Sequence, residues 1–345
     1  MAPMDFFVKL RNTYFGHADK DRPVISPTTA AVLSVTCTLI YVVPFYLSSS
    51  TRPSPTLNRD APSVIRARIR AVTLACIIAS AATLYVLTRT AKLSLSEALH
   101  MLGCWPVRPL DLFKSLTLTF LLYIGPLFEK IFIERDLDDL LHRGIAATSE
   151  TLSSWQGYRN FVAGPVTEEI IFRSVLVPIH LLAKVAPSKV VFLTPLYFGI
   201  AHIHHFYEFH LTHPHVSILP VLLRSLFQFT YTTLFGWFAA FIYLRTGSVY
   251  ACIIIHSFCN WAGLPRFWGR VRRREEYPIS PLAIRGKDDT DAVQAQGKGE
   301  KLGLRWTVAY YLLLVAGAFA FYRGLWPLTT SEAALSEFAR NKRKT

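Results

Sequence analysis

The sequence predicts an all-α protein, a polytopic membrane helix bundle with about eight transmembrane helices. Of its 345 residues, 52% are hydrophobic and only 17% are charged, whereas a soluble domain is usually about 45–50% apolar and about 25% charged. The charged residues are also unevenly distributed, because they crowd between long apolar runs. Runs of about 20 mainly apolar residues are typical of membrane-spanning helices.

The N-terminal half predicts three spans. Residues 28–47 are mainly apolar despite Pro44, and residues 71–87 form a second apolar run. Residues 112–133 form the third, with charged side chains near their ends. The stretch between the first two spans is interpreted as a loop, and it contains Arg52, Arg59, Arg66, Arg68 and Arg70.

The C-terminal half contains five further segments. The first begins with Gly164 and Pro165, and proline at the first helical position is a normal start signal. The segments are 164–184, 190–202, 219–244, 249–264 and 306–322. The second segment is short and ends in a histidine-rich stretch, and polar side chains interrupt the third and the fourth.

The whole chain, residues 1–345, is predicted to be a single integral-membrane domain, and it shows no internal repeat at a fixed period. Residues 265–303 are rich in arginine, proline and polar side chains, which predicts a flexible basic loop. This loop and the C-terminal tail are both basic, although one span separates them. The positive-inside rule therefore leaves the orientation open, and we favour the cytosolic side for the larger loop.

The formal net charge of +14 does not indicate a nucleic-acid partner. Lysines and arginines lie in short loops and tails that flank apolar runs, where topology signals and anionic lipid headgroups favour them. The cysteines are Cys37, Cys76, Cys104, Cys252 and Cys259. Most lie in apolar runs, and there is no CxxC pair. They are therefore interpreted as small buried side chains rather than a zinc or disulfide framework.

A first group of chemically active residues begins with two adjacent carboxylates, Glu168 and Glu169, near the start of a helix. Ionisable residues inside apolar helices are costly and tend to be functional. Glu169 and Arg173 are four residues apart and can form an ion pair on one face. Glu168 points about 100° away from Glu169, which leaves it free to act as a base. Acids in a first helical turn also simply complement the helix dipole.

A second group begins with Phe198 and His202, which are four residues apart on one helix face. Five more histidines follow in the stretch 204–215, namely His204, His205, His210, His213 and His215. Without HExxH or nearby thiolates, this stretch is weak evidence for zinc. We interpret it as a surface or interface loop, and we set apart His202, at the end of an apolar run.

A third pair, His256 and Asn260, is also four residues apart and projects from one face of an apolar helix. Two neighbouring hydrogen-bond donors are able to stabilise an oxyanion. The same pair is also typical of an interhelical hydrogen bond that holds a membrane bundle together.

The order of the three patterns, EExxxR, FxxxH and HxxxN, resembles the ABI superfamily and, within it, the type II CAAX prenyl endopeptidases. The motifs cover roughly residues 160–265, which we take as the catalytic core. The resemblance implies removal of the C-terminal aaX tripeptide from prenylated CAAX proteins such as Ras-like GTPases. It also implies a multi-pass protein of the endoplasmic reticulum membrane. Its active site would be accessible from the cytosolic side and would need no metal or other cofactor.

The same resemblance implies a role for each motif residue. Glu168 and His202 would activate a water for attack on the scissile carbonyl. His256 and Asn260 would stabilise the resulting oxyanion. Glu169, Arg173 and Phe198 would have a structural role that supports the site.

Two other interpretations stay open at this point. A zinc-dependent membrane protease would use His202, His256 and Glu168 as ligands, since two histidines and a carboxylate are a known set. A non-enzymatic scaffold or transporter would use intramembrane polar residues such as Arg224 and Gln228 for another purpose. Transporters often show internal repeats, which this sequence lacks.

Overall fold

The computed structural model describes residues 23–54, 59–133, 149–273, 300–336 and 338. The helices are α1 (Pro27–Val42), α2 (Pro62–Tyr85), α3 (Leu95–Met101), α4 (Pro109–Leu122), α5 (Ile124–Phe128), α6 (Pro187–Ala201), α7 (His204–Thr212), α8 (Ile218–Thr246), α9 (Val249–Ala262) and α10 (Leu304–Gly324). Between α5 and α6, a long helical run that we call the central helix (155–182) consists of Trp155–Tyr158, Arg159–Ala163, Gly164–Glu169, Ile170–Val175 and Leu176–Leu182. Shorter turns are Pro44–Leu47, Val86–Thr90, Glu129–Ile133 and Pro327–Thr329.

Four helices are long and apolar enough to cross a membrane. They are Pro27–Leu47, Pro62–Thr90, Ile218–Thr246 and Leu304–Gly324. The pair Pro109–Leu122 and Ile124–Ile133, bent by 76°, supplies a fifth if it counts as one span. The all-α membrane bundle is therefore confirmed, and each of the eight predicted segments contains helix. Within the described ranges, length and composition support four or five complete crossings.

Helix α2 begins nine residues before the apolar run that predicted it. Pro62 stands in its first turn, where a missing N–H has no helical partner to lose. Arg66, Arg68 and Arg70 therefore lie on a helix, and the prediction of a loop there was wrong. A hydropathy pattern misses such helical turns because the charged guanidinium groups of arginine lower the mean hydropathy. The long aliphatic part of each arginine side chain nevertheless covers apolar surface.

The central helix also begins earlier than predicted, because it starts before Pro165 with Ser154 as its N-cap. Two π-helical stretches, Arg159–Ala163 and Ile170–Val175, flank the α-helical turn Gly164–Glu169. A π turn changes the angle at which the following side chains leave the helix, and such turns are frequent at functional sites. The directions in which Glu168 and Glu169 leave the helix therefore differ from those that an uninterrupted α-helix would give them.

The central helix lies inside the bundle, in contact with α1, α2, α6, α8 and α9. Its residues Ile171, Val175 and Leu176 are fully buried. Apolar neighbours therefore surround the polar residues of this helix. In such surroundings of low dielectric constant, charges interact more strongly than in water.

Helices α6 and α8 approach each other closely at two glycines. A Cβ on Gly199 would overlap the hydroxyl of Thr233, and a Cβ on Gly236 would lie 2.6 Å from Pro195 Cβ. The same Cβ on Gly236 would lie 3.3 Å from Arg173 Nη2. Small residues let membrane helices pack closely, and here they also leave room for the guanidinium.

Most of the predicted basic loop at 265–303 lies outside the described residues, and its flexibility stays a prediction. At its two ends, Arg272–Arg273 and Glu300–Lys301 pair as a two-residue antiparallel ladder, β1 and β2. The single-domain organisation and the core boundaries of about 160–265 likewise stay predictions.

Candidate active site

Glu169, Arg173 and His256 form a buried polar network between the central helix and α9. Arg173 Nη1 donates to Glu169 Oε1 at 3.0 Å, which is the ion pair that the four-residue spacing predicted. His256 Nδ1 lies 2.7 Å from the same oxygen. Because a carboxylate accepts hydrogen bonds and cannot donate them, His256 carries a proton on Nδ1. The side chains of Glu169 and Arg173 are 0% and 1% exposed.

Two aromatic rings enclose the guanidinium of Arg173. Its Cζ lies 4.7 Å from the ring centroid of Phe198 and 5.6 Å from that of Phe235. Desolvated cation–π contacts stabilise a cation by about 2 kcal/mol or more. The ring of Phe198 therefore supports the charge of Arg173 from within the bundle, and its role in the site stays a prediction of the family resemblance.

Glu168 leaves the central helix in a different direction from Glu169 and faces a cavity. Its side chain is 22% exposed, and its Oε2 lies 3.7 Å from His256 Nε2. His256 thus stands between the two carboxylates, with one ring nitrogen towards each. The structure therefore separates one carboxylate that is buried in an ion pair from another that is open to a ligand.

His202 follows the last residue of α6 and lies on the wall of the same cavity. Its Nδ1 donates to the carbonyl oxygen of Phe198 at 2.8 Å. That bond places the proton on Nδ1 and leaves Nε2 as an acceptor. The ring also packs edge-on against Phe198, with 4.6 Å between centroids. His202 is therefore held in one orientation with a basic nitrogen available.

The cavity has a volume of about 240 Å³, and Glu168, His202 and Asn260 all lie on its wall. Asn260 Nδ2 donates to the carbonyl oxygen of Asn160 at 2.9 Å, which leaves its second amide hydrogen for a ligand. His256 is not among the described lining residues, because it is one helical turn deeper on α9. The arrangement places a carboxylate, an imidazole acceptor and an amide donor around one space.

Sequence reasoning missed several residues of the cavity wall. Asn160 and Arg159 come from the mixed stretch before the predicted helix, and Arg59 and Arg68 come from the predicted arginine-rich loop. Tyr41, which lies 3.1 Å from Thr167 through its hydroxyl, comes from α1. The density of arginines just before an apolar run was the one available signal, and it was interpreted as a topology signal.

Helix α7 (His204–Thr212) contains the first three histidines after His202, so the prediction of a surface or interface loop was wrong in its loop assignment for His204, His205 and His210. His204 and His205 line the cavity. Burial lowers the pKa of both rings, so both are neutral at pH 7. His205 Nδ1 donates to buried Glu208 at 3.1 Å, and Arg68 Nη2 donates to the same carboxylate at 2.7 Å. Burial opposes ionisation of Glu208, but these partners hold its pKa below the usual range.

The alternative zinc site of Glu168, His202 and His256 has no support in the geometry. Within the described part of the chain, the one group of three possible ligands whose donor atoms lie within 4.8 Å of one another is on α7. Its carboxylate, Glu208, already pairs with arginine. A guanidinium in that place repels a second cation.

Comparisons with known proteins agree with the motif pattern. A family model described as "Type II CAAX prenyl endopeptidase Rce1-like" matches residues 150–262. The probable CAAX prenyl protease 2 of Schizosaccharomyces pombe is 36% identical over 256 residues, which cover 72% of this chain and 86% of that protein. The CAAX prenyl protease 2 of Homo sapiens is 32% identical over 254 residues, covering 72% and 74%. That of Arabidopsis thaliana is 31% identical over 267 residues, covering 71% and 83%. No solved structure matches the chain.

Proposed function

This chain belongs to the type II CAAX prenyl endopeptidase family, and we propose that it removes the C-terminal aaX tripeptide from prenylated CAAX proteins. The bond cleaved is the peptide bond after the prenylated cysteine. Ras-like GTPases and similar proteins are the proposed substrates. The proposed location is the endoplasmic reticulum membrane, with the cavity reached from the cytosolic side.

One observation carries the proposed chemistry, namely that Glu168 and His202 come from different helices and face the same cavity. Their positions differ by 34 residues along the chain, so helix packing alone brings them together. A carboxylate and a neutral imidazole with a free Nε2 are both able to accept a proton from water. No serine or cysteine is needed as a nucleophile. Ser257 and Cys259 are not among the described residues on the cavity wall.

In the proposed reaction, a water bound between Glu168 and His202 attacks the scissile carbonyl carbon. Its oxygen forms the new C–O bond while Glu168 takes its proton and His202 Nε2 holds the second hydrogen. The carbonyl oxygen becomes the oxyanion of a tetrahedral intermediate. When the C–N bond breaks, the proton passes from Glu168 to the leaving nitrogen. The first products are a prenylcysteine carboxylic acid and a free tripeptide amine, and the acid then gives its remaining proton to the amine or to solvent.

The oxyanion is proposed to be stabilised by Asn260 and His256. Asn260 lies on the wall and has an amide hydrogen to donate. His256 already donates from Nδ1 to Glu169, so donation from Nε2 requires the doubly protonated ring. The carboxylates on its two sides offset that charge. Preorganised donors of this kind are often the largest single contribution to catalysis.

Glu169 and Arg173 are proposed to position His256 rather than to contact the substrate. Both are almost fully buried, and Glu169 orients the ring by a 2.7 Å hydrogen bond. Arg173 in turn neutralises Glu169 and is held by aromatic rings. This second layer fixes the distance between His256 and Glu168.

A membrane-embedded enzyme suits a substrate that carries a lipid. The prenyl chain would stay in the bilayer or against apolar surface while the peptide enters the polar part of the cavity. The cavity wall has an apolar part as well as a polar part. The apolar side chains are Ile65, Ile69 and Val72 of α2 and Phe172 of the central helix. These side chains offer an apolar surface next to the proposed catalytic groups.

The test is cleavage of a farnesylated CAAX peptide by purified protein, with the unprenylated peptide beside it. Wild type should release the tripeptide from the prenylated peptide only, and Glu168→Gln should release none while keeping its thermal stability. Ser257→Ala is the matched control, because among the described residues the Ser257 hydroxyl donates to the Ile253 carbonyl of its own helix and does not line the cavity. Turnover by Glu168→Gln would refute the assigned base. A folded wild type that cleaves neither peptide would favour a non-enzymatic role.

A further inference from the structure

Three arginines are among the residues that line the cavity, namely Arg59, Arg68 and Arg159. Among the described lining residues, the one acidic side chain is Glu168, which the proposed reaction uses as a base. The proposed function explains the carboxylate, the imidazole and the amide, but it assigns nothing to the three arginines. Arginine is the side chain best shaped to bind a carboxylate, because its N–H groups form a planar fork.

The arginines share two acidic partners just behind the wall. Arg159 pairs with Asp60, and Arg68 pairs with Glu208 at 2.7 Å. Arg59 lies between them, 3.8 Å from Glu208 and 4.0 Å from Asp60. Since the histidines beside them are neutral, the cluster has three positive and two negative charges. One further carboxylate would neutralise it.

The cluster also keeps hydrogen-bond donors for a ligand. Arg68 uses Nε for the Thr51 carbonyl and Nη2 for Glu208. Arg159 uses Nε for the side-chain oxygen of Asn160 and Nη1 for Asp60. A guanidinium has five N–H groups, so each of these two has donors beyond the bonds made to described residues.

Two helices place Arg68 and Arg159 at one end of the cavity, at similar distances from Glu168 along the helix axes. On the central helix, Arg159 precedes Glu168 by nine residues, which is at most about 13 Å at 1.5 Å per residue, because the π-helical stretch Arg159–Ala163 advances less per residue than an α-helix. On α2, Arg68 precedes Cys76 by eight residues, or about 12 Å. Cys76 Sγ donates to the Thr167 carbonyl at 3.4 Å and so marks the level of Glu168. The two helices run in parallel there, since Arg66 at the start of α2 stacks on Trp155.

The substrate has a length of the same size. Three extended residues separate the scissile carbonyl from the terminal carboxylate, which is roughly 10 Å. A water between the base and the carbonyl adds about 3 Å. The sum, about 13 Å, is close to the separation of about 12–13 Å along the helices between Glu168 and the two arginines Arg68 and Arg159.

We propose that Arg59, Arg68 and Arg159 form a subsite that binds the free terminal carboxylate of the substrate's last residue. The subsite places the bond three residues upstream beside Glu168, and so it selects both the chain end and the cleavage position. This inference rests on the proposed function, because it needs a peptide in the cavity.

The experiment compares two farnesylated CAAX peptides that differ only at the C-terminus, one a free acid and the other an amide. Wild type should cleave the amide with a kcat/KM lower by roughly tenfold or more, the scale of a lost charge-assisted hydrogen bond. Equal cleavage of both peptides would overturn the subsite while leaving the proposed function intact. That same result is expected if the arginines bind a lipid phosphate instead. Cleavage of neither would overturn both.

Arg59→Gln provides the test on the enzyme side. Arg59 is 42% exposed, and its removal leaves Asp60 and Glu208 with their closer partners, so folding should be preserved. The variant should raise KM for the acid roughly tenfold and change cleavage of the amide by less than about twofold. Arg66→Gln is the control, since Arg66 is exposed and stacks on Trp155 outside the cavity. A wild-type acid-to-amide ratio in Arg59→Gln would overturn the assignment.

Discussion

Replacing Glu169 by leucine should separate the stability of the buried network from its catalytic role. The change leaves the guanidinium of Arg173, 1% exposed, without its carboxylate. Removing one partner of a buried ion pair costs about 3–5 kcal/mol of unfolding free energy. The rings of Phe198 and Phe235 still contact the cation, and such contacts stabilise it by about 2 kcal/mol. We therefore expect a loss near the lower end, about 3 kcal/mol.

The double variant Glu169→Leu/Arg173→Met removes both charges and keeps similar volumes. Replacement of a buried pair by apolar side chains is often neutral or stabilising, so stability should return to within about 1 kcal/mol of wild type. Activity should not return, because His256 still lacks the carboxylate that orients Nδ1. Loss of the orienting carboxylate behind a catalytic histidine costs about 10⁴-fold in the Ser-His-Asp triad. Since His256 is not the proposed base, we expect a smaller loss of about 10²-fold.

The assay combines unfolding by SDS titration in mixed micelles, followed by tryptophan fluorescence, with cleavage of the farnesylated peptide at 25 °C. Both readouts are taken on the same preparations of wild type, the single variant and the double variant. If the single variant is as stable as wild type, the ion pair does not contribute as the burial implies. If the double variant recovers activity together with stability, Glu169 is only a structural partner, and the proposed orientation of His256 is refuted.

Three further predictions concern separate parts of the molecule. Asn260→Ala should lower kcat by a factor of about 10²–10³ with little change in KM, which is the usual effect of removing one oxyanion donor. An effect confined to KM would show that Asn260 binds the ground-state substrate instead. Although burial opposes ionisation, the hydrogen bonds from His205 and Arg68 hold the pKa of Glu208 below the usual range of a glutamate, so its ionisation contributes stability above the unfolded pKa that is lost as pH falls. Wild type should therefore lose more stability than Glu208→Gln between about pH 6 and pH 3, and parallel unfolding curves would contradict this. Gly199→Val should destabilise the α6–α8 contact by about 1–3 kcal/mol through overpacking. The same SDS titration measures this loss, and Gly303→Val is the control because a Cβ there meets open space. Equal stability of the two variants would argue against the close approach of α6 and α8.

Local patterns were enough for much of the fold. Each of the eight predicted apolar runs contains helix, because burial in lipid requires apolar side chains over a whole span. They failed at segment ends, where Arg66 and Arg68 extend α2 into a stretch predicted as a loop. They also missed the 76° bend after Leu122. Helix ends depend on capping and on neighbouring helices, which average hydropathy does not contain.

The candidate site divides in the same way. The four-residue spacing correctly predicted the ion pair of Glu169 and Arg173, because neighbours on a helix face are set by its period. The roles assigned to Glu168, His202 and Asn260 stay predictions. No spacing indicated that His256 would stand between two carboxylates from another helix.

The sequence by itself determined the helical class, the ion pair within the central helix and the motifs that resemble a protease family. Only the tertiary structure decided that Glu168 and His202 face one cavity and that Arg59 and Arg68 share its wall. The physical reason is the distance along the sequence over which each kind of interaction acts. Hydrophobic periodicity and helix-face spacing act over a few residues, whereas a cavity is formed by side chains distant in sequence whose meeting depends on how whole helices pack.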